Sequence, residues 1–176
     1  MKQDIRPEAK PVAPQLFVDA MGAAATGVTV VTTQGLAGRF GITVSALASV
    51  SADPPLLLVC VNRRNPSVAG ITQNGVFAVN ILAESQADIA RTFSGRPLAG
   101  EPYAFQPELW QVGQLDLPLV KNAAAHFECE TDSIHDAGTH RIFIGRVVAA
   151  ARGTGAPLVY SSRAFGRAAP FDGDSE

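Results

Sequence analysis

Residues 56–67 have the sequence Leu-Leu-Leu-Val-Cys-Val-Asn-Arg-Arg-Asn-Pro-Ser. The apolar run Leu56–Val61 has no two-residue alternation and is too short to span a membrane, so it predicts a strand buried on both faces. Asn65 is a good N-cap, and Pro66 suits the first helical position because its missing N–H loses no hydrogen bond there. This segment therefore predicts a buried strand followed at once by a helix that begins at Pro66.

The start of that helix is rich in groups that attract an anion. Its free N–H groups, its dipole, the Ser67 hydroxyl and the guanidinium groups of Arg63 and Arg64 would all favour a phosphate. The alternative is an ordinary capped helix with solvated arginines, since most helix N-termini bind only water. These residues alone leave both interpretations open.

The length and net charge of the chain limit the kinds of function that it can have. The chain has 176 residues, of which 47% are hydrophobic and 17% charged, which indicates one compact domain. A net charge of −2 with only three lysines argues against a nucleic-acid partner. We expect a disordered N-terminal segment over residues 1–14, a folded domain over residues 15–168 and a flexible tail over residues 169–176.

The cellular compartment is predicted from the first residues and the cysteines. Residues 1–10 are polar and show no secretory signal, so we expect a cytoplasmic protein without a membrane partner. Cys60 and Cys129 form neither a CxxC pair nor a disulfide framework, and they are expected to be reduced, buried thiols.

The rest of the chain predicts a mainly β fold. Periodicity indicates helices at Gln15–Ala23, Pro66–Gln73 and Ser85–Phe93 and about six or seven short strands, without regular β-α-β alternation. That pattern favours an antiparallel barrel. The alternating segment Ala123–Thr131 predicts a half-solvated strand with His126, Glu128 and Glu130 on its wet face. The long segment Gly95–Leu117 predicts an ordered, functional loop.

Several known motifs are absent from the sequence. There is no GxGxxG fingerprint and no P-loop, so a nucleotide would have to be held in another way. The small and hydroxylated residues of Ser45–Ser51 leave room for a flat ligand. Asp132, His135, Asp136 and His140 carry ligand atoms for a divalent ion, but their spacing matches no ligand pattern, and we expect no metal site.

Six segments, in order, resemble the short flavin reductase family. They are Thr26–Thr32, Gly41–Ala46, Ser49–Leu56, Cys60–Arg63, Phe77–Asn80 and Gly138–Gly145, within a resemblance that runs from about Phe17 to Phe165. The resemblance implies a six-stranded antiparallel split barrel of the Greek-key, FMN-binding type with a few short helices. It also implies a homodimer with a flavin near the subunit interface.

The resemblance also implies the site residues. It assigns cofactor binding to Thr43, Val44, Ser45, Ala46, Ser51, Cys60, Val61, Asn62, Ser67 and Phe93. It assigns NAD(P)H binding to His140, Arg163 and Phe165, with His140 as the catalytic residue, although Phe165 is equally natural as a cap on the barrel. Many relatives have Gly-Asp-His where this chain has Gly138-Thr139-His140, and the missing carboxylate could alter the orientation of the histidine.

The function implied by this family is hydride transfer from NADH or NADPH to FMN or FAD, with reduced flavin passed to a separate monooxygenase. Two alternatives stay open at this stage. One is a split-barrel protein that binds FMN without catalysis, and the other is a reductase that retains its flavin and reduces a bound acceptor.

Overall fold

The computed structural model describes residues 10–171, so residues 1–9 of the expected N-terminal segment and residues 172–176 of the expected tail lie outside the described residues. The described residues form three α-helices: α1 (Pro14–Met21), α2 (Ser67–Asn74) and α3 (Ala87–Phe93). Short 3-10 turns lie at Glu84–Gln86 and Pro107–Leu109. No helix among residues 10–171 is long and apolar enough to cross a membrane.

Residues 10–171 also contain twelve strands. The first six are β1 (Thr26–Gly27), β2 (Thr29–Gly35), β3 (Gly38–Val44), β4 (Leu47–Ala52), β5 (Pro55–Asn62) and β6 (Val76–Ile81). The others are β7 (Trp110–Val112), β8 (Pro118–Val120), β9 (Ala125–Ala137), β10 (His140–Arg152), β11 (Leu158–Ser161) and β12 (Ala164–Arg167). The mainly β architecture with a few short helices is confirmed.

The main sheet has seven strands, in the order β3-β2-β6-β9-β10-β5-β4. All its neighbouring strands are antiparallel. The expected number of six was wrong because residues 47–52 form the edge strand β4, with Leu47 opposite Val59 and Ala52 opposite Pro55. Residues 10–171 also form two smaller sheets, with the strand orders β1-β11-β12 and β7-β8.

Strand β5 alternates between a buried and a half-buried face. Leu57, Val59 and Val61 are buried and pack in one core cluster with residues such as Phe77 and Phe143. The opposite face, which includes Cys60, is only half-buried. The prediction of burial on both faces was therefore correct for one face only, since Leu56, Leu58 and Cys60 keep part of their surface exposed.

Strand β9 does not have the wet face that its alternation predicts. His126 and Glu128 are both buried. The segment that joins β7 to β8 covers them, and the Glu128 carboxylate accepts the backbone N–H groups of Gln114 at 2.8 Å and Leu115 at 2.7 Å. His126 Nε2 lies 2.6 Å from the carbonyl oxygen of Val120. The covering hairpin supplies the hydrogen bonds that make burial of these polar groups tolerable.

Candidate functional site

A cavity of about 220 Å³ lies where the end of β3 meets β5 and the start of β10. It is lined by Ile42, Thr43, Val44, Ser45, Ala46, Cys60, Asn62 and His140. Strand register brings them together: His140 is opposite Asn62, and the Cys60 N–H donates to the carbonyl oxygen of Ala46 at 3.1 Å. The structure thus gathers seven of the residues expected at a flavin and pyridine nucleotide site.

His140 stands just after the tight turn between β9 and β10. Gly138 adopts a φ of 57°, the left-handed conformation that glycine accepts without strain. The Thr139 hydroxyl lies 2.9 Å from His140 Nδ1, and the Arg63 N–H donates to the Thr139 carbonyl oxygen at 3.0 Å. The Thr139 hydroxyl is therefore the polar group next to the His140 imidazole in this chain.

A larger cleft of about 820 Å³ lies on the other side of the β3 end. It is lined by Val28, Thr43, Val44, Ser45, Ala90, Arg91, Ser94, Arg96, Leu98, Tyr160, Arg163, Ala164 and Phe165. Three of these, Thr43, Val44 and Ser45, also line the smaller cavity, so the end of β3 forms a shared wall. The Thr43 hydroxyl donates to the carbonyl oxygen of Ala90 at 2.8 Å and thereby ties this wall to α3.

Phe165 lies between the core and the large cleft. Its ring packs against the core cluster around Phe93 and also lines the large cleft. The Tyr160 ring lies 5.3 Å from it, and the Arg91 guanidinium lies 5.0 Å from its centre. Phe165 is therefore held between an aromatic ring and a cation at the surface of the cleft.

Two N–H groups at the start of α2 already have hydrogen-bond acceptors. The helix begins at Ser67 rather than Pro66, and the Asn65 Oδ1 accepts the Ser67 N–H at 2.9 Å. The carbonyl oxygen of Asn65 accepts the Val68 N–H at 3.1 Å. The buried Ser67 side chain lines neither cavity. The arrangement is that of a capped helix, with two of the anion-binding N–H groups already occupied.

Three more of the expected cofactor residues lie apart from both cavities. Val61 is in the barrel core, and Phe93 is buried against Phe105 and Trp110 at ring distances of 4.8 and 5.3 Å. Ser51 lies on β4 opposite Leu56. The sequence did not predict the following lining residues of the two cavities as site residues: Ile42, Arg91, Arg96, Leu98 and Tyr160. Their only available signal was proximity in sequence to the segments that carry the resemblance.

The two thiols are free and differ in environment. Burial raises the pKa of Cys60, which lines the small cavity. Burial and the neighbouring Glu128 carboxylate raise the pKa of Cys129 to about 12. Both thiols are therefore protonated at neutral pH, and only Cys60 faces a cavity that a ligand could enter.

Asp136, near the β9–β10 turn, pairs with two arginines. Asp136 accepts hydrogen bonds from Arg141 at 2.7 and 3.2 Å, and these hold the pKa of the Asp136 carboxyl below its usual value. Arg63 lies 3.6 Å from the same carboxylate. Within residues 10–171, no three histidine, cysteine, aspartate or glutamate side chains are grouped so that they could hold a metal ion.

Comparison with known sequences identifies the family. The model of the flavin reductase like domain matches residues 21–169. The chain is 39% identical over 155 residues to the FMN reductase (NADH) RutF of Bradyrhizobium diazoefficiens, with 88% of this chain and 85% of that protein covered. It is 44% identical over 137 residues to a probable flavin reductase of Rhizobium meliloti, where 77% of this chain spans 43% of the longer protein.

Solved structures give the same answer. BorF, the flavin reductase component of a bacterial two-component tryptophan halogenase, has a TM-score of 0.80 and 35% identity over 88% of this chain and 98% of that one. The NADH:FAD oxidoreductase SgcE6 of Streptomyces globisporus, in complex with NAD and FAD fragments, has a TM-score of 0.79 and 32% identity over 93% of this chain and 99% of that one. The likeness confirms the expected fold class. The chain belongs to the family of flavin reductase like domains.

Proposed function

We propose that this protein is an NAD(P)H:flavin oxidoreductase that transfers hydride from NADH or NADPH to FMN or FAD. The observation that carries the proposal is the shared wall at Thr43–Ser45, which lines both the small cavity and the large cleft, so that both open onto the same strand end. Two ligands bound on this wall would lie side by side, as direct hydride transfer requires. Relatives named FMN reductase (NADH) make FMN and NADH the first pair to test.

The residues around the shared wall fit a flat, polar ring. Ser45 and Ala46 are small and exposed, so a ring can approach the backbone there. Asn62 and His140 add polar side chains at the opposite side of the cavity. When bound, flavin supplies the hydride-accepting chemistry, and the protein has to supply binding and orientation.

The protein's own residues would position the two ligands for the reaction. His140 would hold the pyridine nucleotide at the mouth of the small cavity, with Thr139 fixing the direction of its ring. The strand end at Thr43–Ser45 would hold both ligands in contact, at about 3–3.5 Å between the reacting atoms. No proton has to be moved by a side chain for hydride transfer, so no acid–base residue is assigned.

The long segment at residues 95–117 favours an enzyme over a binding protein. Only Arg96 and Leu98 of this segment line the large cleft, and the cleft remains open. A protein that only stored FMN would gain from a loop that closes over the flavin. The open cleft leaves a path for the pyridine nucleotide and for the departure of reduced flavin.

The experiment that tests the proposal is loss of NADH and NADPH absorbance with purified protein in air, with and without added FMN or FAD. We expect oxidation that saturates with added flavin, and a flavin Kd near micromolar, about −8 kcal/mol, so that the product can leave. Flavin binding without oxidation of either coenzyme would contradict the proposal. Flavin that cannot be removed by dialysis would contradict its release as a diffusible product.

Alkylation of Cys60 tests the place of the flavin. Because burial raises the pKa of this thiol, its thiolate fraction and its rate with N-ethylmaleimide should rise about tenfold per pH unit below that pKa. Saturating FMN should slow the reaction several-fold, measured by mass spectrometry. Cys129, with a pKa of about 12, should react only after denaturation and serves as the internal control. Equal rates with and without FMN would place the flavin elsewhere.

The proposed partners are a second copy of this chain and a monooxygenase that receives reduced flavin; BorF supports a separate partner enzyme because it is the reductase component of a two-component system. Helix α1 has no buried residue, and Leu16, Phe17, Val18 and Met21 are all more than half exposed. A short helix with an exposed apolar face is stable only when that face packs against another surface, and the second subunit of a homodimer would supply this surface. Light scattering should give twice the 18.4 kDa chain mass, and a monomer at micromolar concentration would exclude the dimer.

The proposed location of the protein is the cytoplasm. The two free thiols of the chain, Cys60 and Cys129, suit that reducing compartment.

A further inference from the structure

Three arginines line the large cleft, and two of them already have a carboxylate partner. Arg91 pairs with Asp88 at 2.7 Å, and Arg163 pairs with Asp19 at 3.4 Å. Arg96 forms no ion pair with any residue between positions 10 and 171. Two of the three positive charges at the cleft are therefore partly offset before any ligand arrives.

Asp19 is held in place beside Arg163. The Gln15 amide donates to Asp19 Oδ1 at 2.8 Å across one turn of α1. The Ser162 N–H donates to the carbonyl oxygen of Gly22 at 2.8 Å, which ties the β11–β12 turn to the end of α1. Ser162 and Arg163 have φ values of 49° and 65°, as a two-residue hairpin turn of this type requires. The helix and the turn thus keep this carboxylate next to the cleft arginine.

Arg91 is fixed from two sides. Its guanidinium donates to Asp88 one turn earlier in α3 and lies over the Phe165 ring. The ring contact keeps the cation at the cleft surface, and the carboxylate cancels most of its charge toward an incoming anion. An arginine in this state is a poor partner for an additional phosphate.

We propose that Asp19 and Asp88 determine coenzyme selectivity, by leaving the cleft with too little positive charge for the 2′-phosphate of NADPH. This inference rests on the proposed function, which brings a pyridine nucleotide to this cleft. NADH and NADPH share the diphosphate group. Arg96, which has no ion pair among residues 10–171, and the exposed part of a second cleft guanidinium can bind this group. The 2′-phosphate adds close to two negative charges at neutral pH, and these would lie near the two carboxylates.

The test is removal of each carboxylate charge at constant size, with Asp19→Asn, Asp88→Asn and the double variant. We expect kcat/KM for NADPH to rise about fivefold in each single variant and more in the double variant, while the value for NADH changes less. The gain should shrink between about 0.01 and 0.3 M salt, because salt screens exposed charges. Glu130→Gln is the matched control, since Glu130 pairs with Arg146 on β9 and β10, outside the cleft residues.

A binding measurement separates this inference from the proposed function. Adenosine 2′,5′-bisphosphate should bind the double variant at least fivefold tighter than wild type by calorimetry, while adenosine 5′-phosphate changes less. NADH oxidation by wild type with an unchanged coenzyme ratio in the double variant would overturn the charge assignment alone. A wild-type preference for NADPH would also overturn it. Tighter bisphosphate binding without any coenzyme oxidation by wild type would support the charge assignment and reject the reductase.

Discussion

Replacement of His140 by alanine is expected to raise the KM for NADH about tenfold or more, while the Kd of FMN changes less than twofold. The imidazole lies at the mouth of the small cavity, opposite Asn62 across β10 and β5. Its removal takes away one hydrogen-bonding group and the surface that orients the coenzyme. Losses of this kind amount to about 1.5–3 kcal/mol when the group meets a charged or well-placed partner.

Steady-state kinetics with NADH at saturating FMN, together with FMN titration by fluorescence quenching, provides the measurement. His135→Ala is the matched control, because His135 is an exposed histidine on the neighbouring strand β9 and lines neither cavity. An equal loss of NADH and FMN affinity in the His140 variant would assign the histidine to the flavin instead. Unchanged kinetics would remove it from the site.

The element types of the fold were predictable because apolar periodicity reflects burial directly. Strand β5 and helix α2 follow from residues 56–74, and the structure shifts the start of the helix by one residue only. Strand β4 was not predictable in this way. Its Ala and Ser residues bury little, and it exists because its backbone pairs with β5 at the edge of the sheet.

The burial of His126 and Glu128 shows what periodicity leaves out. Alternation along β9 identifies two faces of a strand, but it does not say what covers each face. The cover comes from a segment 13–14 residues earlier in the chain, whose N–H groups bind the Glu128 carboxylate. Single-sequence patterns contain no signal for such a contact between segments.

The part of the candidate site that lies within the family-like segments could be proposed from the sequence. The resemblance assigned Thr43–Ala46, Cys60, Asn62 and His140 to the site; the fold brings these residues into one cavity, and their roles stay a prediction. It also included Val61, whose side chain points into the core, because a motif does not say which face of a strand each residue occupies. Arg91 and Arg96 were missed because their place at the cleft depends on how α3 sits beside the three-stranded sheet.

Replacement of Gly145 by alanine is expected to lower the free energy of unfolding by about 2–3 kcal/mol. Gly145 lies in β10 between Leu57 of β5 and Thr131 of β9, at a register shift of the β9–β10 pair. A Cβ atom there would lie 2.7 Å from Cys129 Cβ and 2.9 Å from Phe77 Cε1. Both neighbours are fully buried, so neither can move without disturbing the core.

Thermal or urea unfolding measures this effect, and the midpoint temperature should fall by about 5–10 °C for a chain of this size. Gly166→Ala is the control, because no atom lies within 4 Å of a Cβ built at Gly166 in β12. We expect that variant to unfold within about 0.5 kcal/mol of wild type. Equal stability of the two variants would mean that the barrel around Phe77 can absorb a methyl group. The centre of the main sheet would then be too loosely packed to fix β10, the strand that begins at His140.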